Sequence, residues 1–300
     1  MKRYLSIICI LVVSRMVAQQ LPQYSNYMVN DFALNPAVCG SNPYFEGKSN
    51  NRYQWVGITD APRTYLLSVN GPTKNQKMGL GGMLFTDIVG PTHRTGFYLT
   101  YAYHLKVAEK VKVSLGLSAG LLQFMVDASK IQLHDQSDLV ISNGVQSVLM
   151  PDFGAGIYAY STDKKWYAGA SVPQILQEQI KFFNAETSSL SKLATHVYFT
   201  GGYKFTINDD IKVEPSTCIK FVSPAPVQVD FGLRAIYRDM VWLGAAYRTR
   251  DAVSAMVGYT LMQNLTFAYS YDFTTTNIRK YSSGTHEIMI AIKFNKALKQ

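Results

Sequence analysis

His104, His196 and His286 are the residues of this 300-residue chain best suited to proton transfer, since each falls in a run of alternating apolar and polar residues. A strand histidine could act as base to a serine nucleophile, but that chemistry needs the two side chains within hydrogen-bond reach. No nucleophile-elbow pattern accompanies these histidines. No spaced His/Cys/Asp set has the layout of a metal site, and no phosphate loop opens a helix. Gly79, Gly81, Gly82, Gly116 and Gly120 lie inside strand-like runs. Glycine there marks a bend or gives room for another segment on the same face. The expectation is a protein without catalytic residues, cofactor or metal, whose work is binding.

Charge supplies the second candidate set. Asp230, Arg234, Arg238, Arg248, Asp272, Glu287 and Lys293 fall by alternation on the polar faces of runs in the last third of the chain. If those faces line the interior of a closed sheet, the charges must be hydrated or paired with one another. They then form either a structural network or a charged conduit.

The elements that position them read as strands with two unlike faces. Val227, Val229, Phe231, Leu233, Ala235 and Tyr237 share one face, and Gln228, Asp230, Gly232, Arg234 and Ile236 the other, with Ile236 the one position that breaks the rule. Val253 to Leu261, Leu265 to Phe273 and Ile288 to Phe294 repeat the pattern. Such runs number about fourteen, near 50–58, 62–71, 78–87, 94–107, 111–126, 152–162, 165–172, 193–207, 210–221, 226–238, 240–249, 252–262, 264–274 and 285–295. Many reach the roughly 9–11 residues that cross a bilayer as a tilted strand. A hydrophobic share of 47%, with 20 tyrosines and only 16% charged residues, also suits a β-rich chain. The fold expected is all-β, a transmembrane antiparallel β-barrel, because lipid cannot hydrogen-bond an open strand edge. Tyr53, Trp55, Tyr101, Tyr103, Trp166, Tyr203, Tyr237, Tyr247 and Tyr271 are the candidates for its aromatic girdles.

Connections follow the asymmetry of such barrels, with tight turns at Asp163-Lys164, Asn208-Asp209, Asp239 and Gln263-Asn264 on one side. The long links Asp127 to Pro151 and Pro173 to Lys192 fall on the other. Ahead of the barrel (50–300) come a signal peptide at 1–18 and a segment at 19–49 that lacks strand rhythm. That segment is expected in the lumen or at the periplasmic mouth. There Tyr24, Tyr27, Met28, Asn35 and Pro36 would serve as a plug or as a docking strip for a partner. Loss of Lys2, Arg3 and Arg15 with the leader lowers the formal charge from +9 to +6, spread along the chain, so no nucleic-acid partner is expected. Cys39 and Cys218 remain in an oxidising setting. Their separation in sequence favours two free thiols over a bridge.

One resemblance covers essentially the whole mature chain. Gln23-Tyr24-Ser25-Asn26-Tyr27-Met28, Asn35-Pro36-Ala37 and Gly40-Ser41 are joined by Arg52, Gln54-Trp55, Gly57, Ala61-Pro62 and Thr64, and later by Tyr269-Ser270-Tyr271-Asp272, Ser283-Gly284 and His286-Glu287-Ile288. Together they resemble the PorP/SprF family of type IX secretion membrane proteins, with Cys39 where a small residue such as alanine is expected. The resemblance implies a barrel in the cell outer membrane, linked to type IX secretion and gliding. It also implies a role in secreting or anchoring a large adhesin-type surface protein, with a periplasmic machinery component as a further partner. The rival reading is a porin-like passive or ligand-selective channel.

Overall fold

The computed structural model of the protein describes residues 21–131, 144–176, 178, 193–223 and 225–295. The expected leader and most of the two long links, at 132–143, 177 and 179–192, lie outside those residues. The strands are β1 (Phe45–Tyr53), β2 (Arg63–Pro72), β3 (Met78–Val89), β4 (Thr92–Ala108), β5 (Val111–Asp127), β6 (Val145–Ser161), β7 (Trp166–Val172), β8 (His196–Tyr203), β9 (Phe205–Thr206), β10 (Ile211–Val222), β11 (Gln228–Tyr237), β12 (Val241–Arg248), β13 (Ala252–Leu261), β14 (Leu265–Thr274) and β15 (Thr285–Phe294).

Neighbours pair antiparallel throughout, and β1 also pairs with β15, Phe45 opposite Phe294 and Tyr53 opposite His286, so the sheet closes on itself. β8 and β9 are two pieces of one crossing. Both pair with β10, and the break at Lys204 faces the stretch of β10 that carries Pro215, which has no N–H to give to the ladder. The result is a closed antiparallel barrel of fourteen crossings.

Alternation sets the two surfaces. Outward side chains such as Leu117, Phe231 and Leu243 stay 64%, 57% and 62% exposed, while their neighbours Ser118, Asp230 and Trp242 point inward. Leaving the first set to water would be costly, but hydrocarbon covers them without penalty. Tyr101, Tyr103, Tyr203, Tyr237 and Tyr247 are exposed at the ends of this apolar band, where a ring with a polar tip fits the headgroup level.

Short turns at 73–77, 109–110, 162–165, 207–210, 238–240 and 262–264 share one end, together with the start of β1 and the end of β15. The rule for outer-membrane barrels makes this end periplasmic and the opposite end external.

Two expectations change in detail. β1 begins at Phe45, not at 50, because both its faces are polar or small: Glu46, Lys48, Asn50 and Arg52 inward, Gly47, Ser49 and Asn51 outward. No hydrophobic alternation announces such a strand. β6 begins at Val145, not at 152, so the first long outer link shrinks to 128–144. Pro151 masked that extension, and it is tolerated because β7 pairs only with Ala155 to Tyr160, leaving the outer part of β6 an edge.

Candidate functional site

Residues 21–44 form a strap through the lumen. Leu21 lies at the external end, where its N–H donates to His196 Nε2 at 3.2 Å, and Tyr44 lies at the periplasmic end beside Lys293. Between them run three short 3-10 turns, Ser25–Met28, Asp31–Ala33 and Pro36–Val38. A chain lacking regular structure can be buried only if its backbone polar groups find partners, and here the barrel wall supplies many of them.

The outer half is held by charge. Arg52 of β1 donates to Asp272 at 2.8 Å and to Glu287 at 3.1 Å, and also to Ser25 Oγ at 2.7 Å. Ser25 in turn donates its hydroxyl to Asp272 and its backbone N–H to Glu287, both at 2.7 Å. Asn26 gives its amide and its backbone N–H to the other oxygen of Glu287. Arg248 reaches Asp272 and Asp230 at 3.4 Å each and Ser25 at 3.3 Å, and Lys220 completes the set on Asp230 at 2.8 Å. Three cations and three carboxylates thus meet in a buried cluster, with Asp251 on its rim beside Arg248. Ionised groups persist at this depth because each is both paired and hydrogen-bonded.

The inner half is held by shape. Asn35 caps its turn by accepting from the Ala37 N–H at 2.9 Å, while its Nδ2 donates to Ile157 O at 3.0 Å and Ala170 O at 3.4 Å. Its amide sits on Gly156, where an added Cβ would lie 2.0 Å from Oδ1. Pro36 and Ala37 lie on Gly116, and Cys39 on Gly79 and Gly81, the nearest approach to an added Cβ at Gly79 being 1.9 Å, from Cys39 O. A side chain at these wall positions would occupy the strap's space. Gly82 and Gly120 depart from the expectation, since their nearest neighbours belong to the adjacent strand and not to the strap.

Two of the three histidines singled out in the sequence serve the strap as well. His104 Nε2 donates to Cys39 O at 2.9 Å while Nδ1 accepts from Tyr160, and His196 bridges Ala194 O and the Leu21 N–H. His286 faces outward beside Tyr269. Cys39 and Cys218 are free and buried. Among the described residues no cluster of His, Cys, Asp or Glu is arranged to hold a metal.

All five strap residues singled out in the sequence are buried against the wall. Tyr24 packs in the apolar cluster, Tyr27 shares a hydrogen bond with Ser216, and Met28 lies on Gly232. Asp230, Arg248, Asp272 and Glu287 converge on the strap as described. Arg234 pairs instead with Glu214 at 2.9 Å, and Lys293 faces the periplasmic end of the lumen.

Arg238 does not line the lumen. It opens the turn after β11 at φ 51°, and its exposed side chain grips Asp210 at 2.8 Å, the hydrogen bond holding that carboxyl below its usual range. Alternation fails there because the strand has already ended. Arg52, Glu46, Lys48 and Lys220 are inward charges that the sequence reading missed. Lys220 lay within an expected strand, whereas those of β1 carried no rhythm to reveal them.

The strap separates two vestibules, one of about 250 Å³ at the external end and one of about 420 Å³ at the periplasmic end. The family model for type IX secretion system membrane protein PorP/SprF matches residues 16–292. The chain belongs to this family. No curated protein sequence matches it. Solved structures similar to this PorP/SprF protein include the Ralstonia pickettii toluene transporter TbuX, with 12% identity over 88% of this chain and 93% of that one and a TM-score of 0.52. The Acinetobacter baumannii outer membrane protein Omp33 gives 8% identity over 84% and 97% of the two chains, with a TM-score of 0.47. At 12% identity the likeness to TbuX shows the fold alone. The family match and the lipid-facing surface place this PorP/SprF barrel in the outer membrane.

Proposed function

We propose that this type IX secretion barrel is a mount, holding a secreted adhesin-type protein at the cell surface through its external links while its periplasmic end contacts the secretion machinery. The observation that carries this reading is the strap, buried along most of its length and locked by hydrogen bonds to the wall's paired charges at one half and by close packing at the other. A conduit needs a free path, whereas a mount needs a stiff one. The strap joins β1, β14 and β15 on one wall to β5, β6 and β7 on the other, which stiffens the cylinder that carries the links.

The external platform comprises the links at 128–144 and 173–195, together with the ends of β5 and β6 beyond a polar outward row at Thr95, Gln123 and Ser147. Replacing both links by short turns is expected to leave insertion intact, read as heat-modifiable gel migration, and to abolish co-purification of the surface cargo. Retention of cargo by the shortened protein would overturn the mount reading. Purified barrel in a planar bilayer is expected to be silent, and steady conductance unaffected by removing 21–44 would favour a pore.

A further inference from the structure

The periplasmic vestibule holds more positive charge than its own carboxylates compensate. Glu46 is taken by Lys48 at 3.0 Å, and Glu214 is shared by Lys204 at 3.7 Å and Arg234 at 2.9 Å. Asp239, at the rim, is held at 2.6 Å by Lys212. Three further lysines line the cavity: Lys165 pairs with Asp163 at 3.6 Å, whereas Lys164 and Lys293 make no ion pair among the described residues. Each of these two rests its ammonium on a ring, Lys164 at 3.9 Å from the centre of Tyr160 and Lys293 at 5.3 Å from that of Tyr44. Asp31 is the remaining carboxylate in the lining. Burial holds the Lys164 ammonium down at about 7, an arrangement that an arriving anion would relieve.

Position decides what kind of anion fits. Lys293 lies on β15 and Lys164 in the turn between β6 and β7, halfway round the barrel from each other. One phosphate cannot bridge opposite walls, and it would favour convergent forked donors over separated ammoniums. The cavity of about 420 Å³ falls in the range of sites that enclose a substantial ligand, and it opens on the side of the short turns.

We propose that this vestibule binds an extended, carboxylate-rich peptide segment of a periplasmic protein, with Lys164 and Lys293 receiving carboxylates on opposite walls and Tyr44 and Tyr167 lining the path between them. The inference deepens the mount reading by naming the chemistry of its inner contact, and it rests on that reading.

The test uses the full mature chain in detergent with a short fluorescent Asp/Gly peptide at low salt, an Asn/Gly peptide of equal length, and inorganic phosphate as competitor. Saturable binding of the acidic peptide alone is expected, weakened about tenfold in the Lys164→Gln/Lys293→Gln double variant. A photo-crosslinker on the acidic peptide should mark 41–46 or 162–167 in the unaltered protein, a readout that stands even if the double variant fails to insert. Equal binding of the Asn peptide, displacement by equimolar phosphate, an unchanged affinity in the double variant, or crosslinks confined to the external mouth would each overturn the assignment. Replacing the external links tests the mount reading separately, since it should abolish cargo retention and leave this peptide affinity unchanged.

Discussion

The two halves of the strap are held by different physics. From Tyr24 to Asn30 the wall meets it with ionised side chains, Arg52, Arg248, Asp272 and Glu287, and the fit is set by hydrogen-bond geometry. From Asn35 to Gly40 the wall meets it with the absence of side chains, at Gly79, Gly81, Gly116 and Gly156, and the fit is set by contact. A barrel can thus anchor an irregular segment either by desolvating charges that must then all be paired, or by removing Cβ atoms so that two backbones touch.

That contrast can be broken first at Arg52. Arg52→Ala leaves Asp272 and Glu287 short of their central cation, and should lower stability by about 3–5 kcal/mol in urea titrations read by gel migration. A combined Arg52→Ala/Glu287→Gln variant should recover part of that loss, because it removes one of the stranded charges. Next comes Gly116→Val, which forces atoms into Ala37 and should cost about 1–3 kcal/mol by overpacking. The two variants differ in where the strap loosens. In a Cys218→Ser background, Gly116→Val should expose the Cys39 thiol to maleimide, whereas Arg52→Ala should leave it protected, and equal labelling in both would mean the strap moves as one piece. Asn35→Ala removes a cap and two bonds to wall carbonyls and should cost about 1–2 kcal/mol. Smallest of all, Arg238→Ala cuts only an exposed pair and should leave the unfolding curve unchanged.

Much of this was legible in the sequence, and for a definite reason. A lipid-covered face must be apolar at every second residue, so β11 to β15 declare both their existence and the face that carries Asp230, Arg248, Asp272 and Glu287, all four of them buried on the inner side. The glycines at 79, 81 and 116 were legible as room for another segment. Their partners were not, since contact between Cys39 and Gly79, or between Asn35 and Gly156, spans long stretches of sequence with no period to link them. β1 was misplaced by five residues because neither of its faces is continuously apolar, so Glu46 and Lys48 fell outside the expected run, and Arg52, the centre of the charge cluster, lay inside it with no rhythm to place it. Arg238 was misassigned because parity carries no information about where a strand stops.

Arg52 and Glu287 stand directly opposite each other in the register that joins the first strand to the last. The pair that clasps Ser25 therefore also zips the cylinder's final joint. During biogenesis the leading residues must already lie inside before that joint shuts, for once the ring is complete they would have to be fed through its bore. Ring closure and capture of the inner segment become a single step, and a polypeptide that misses it would be left with an open edge and with Asp272 and Glu287 short of Arg52.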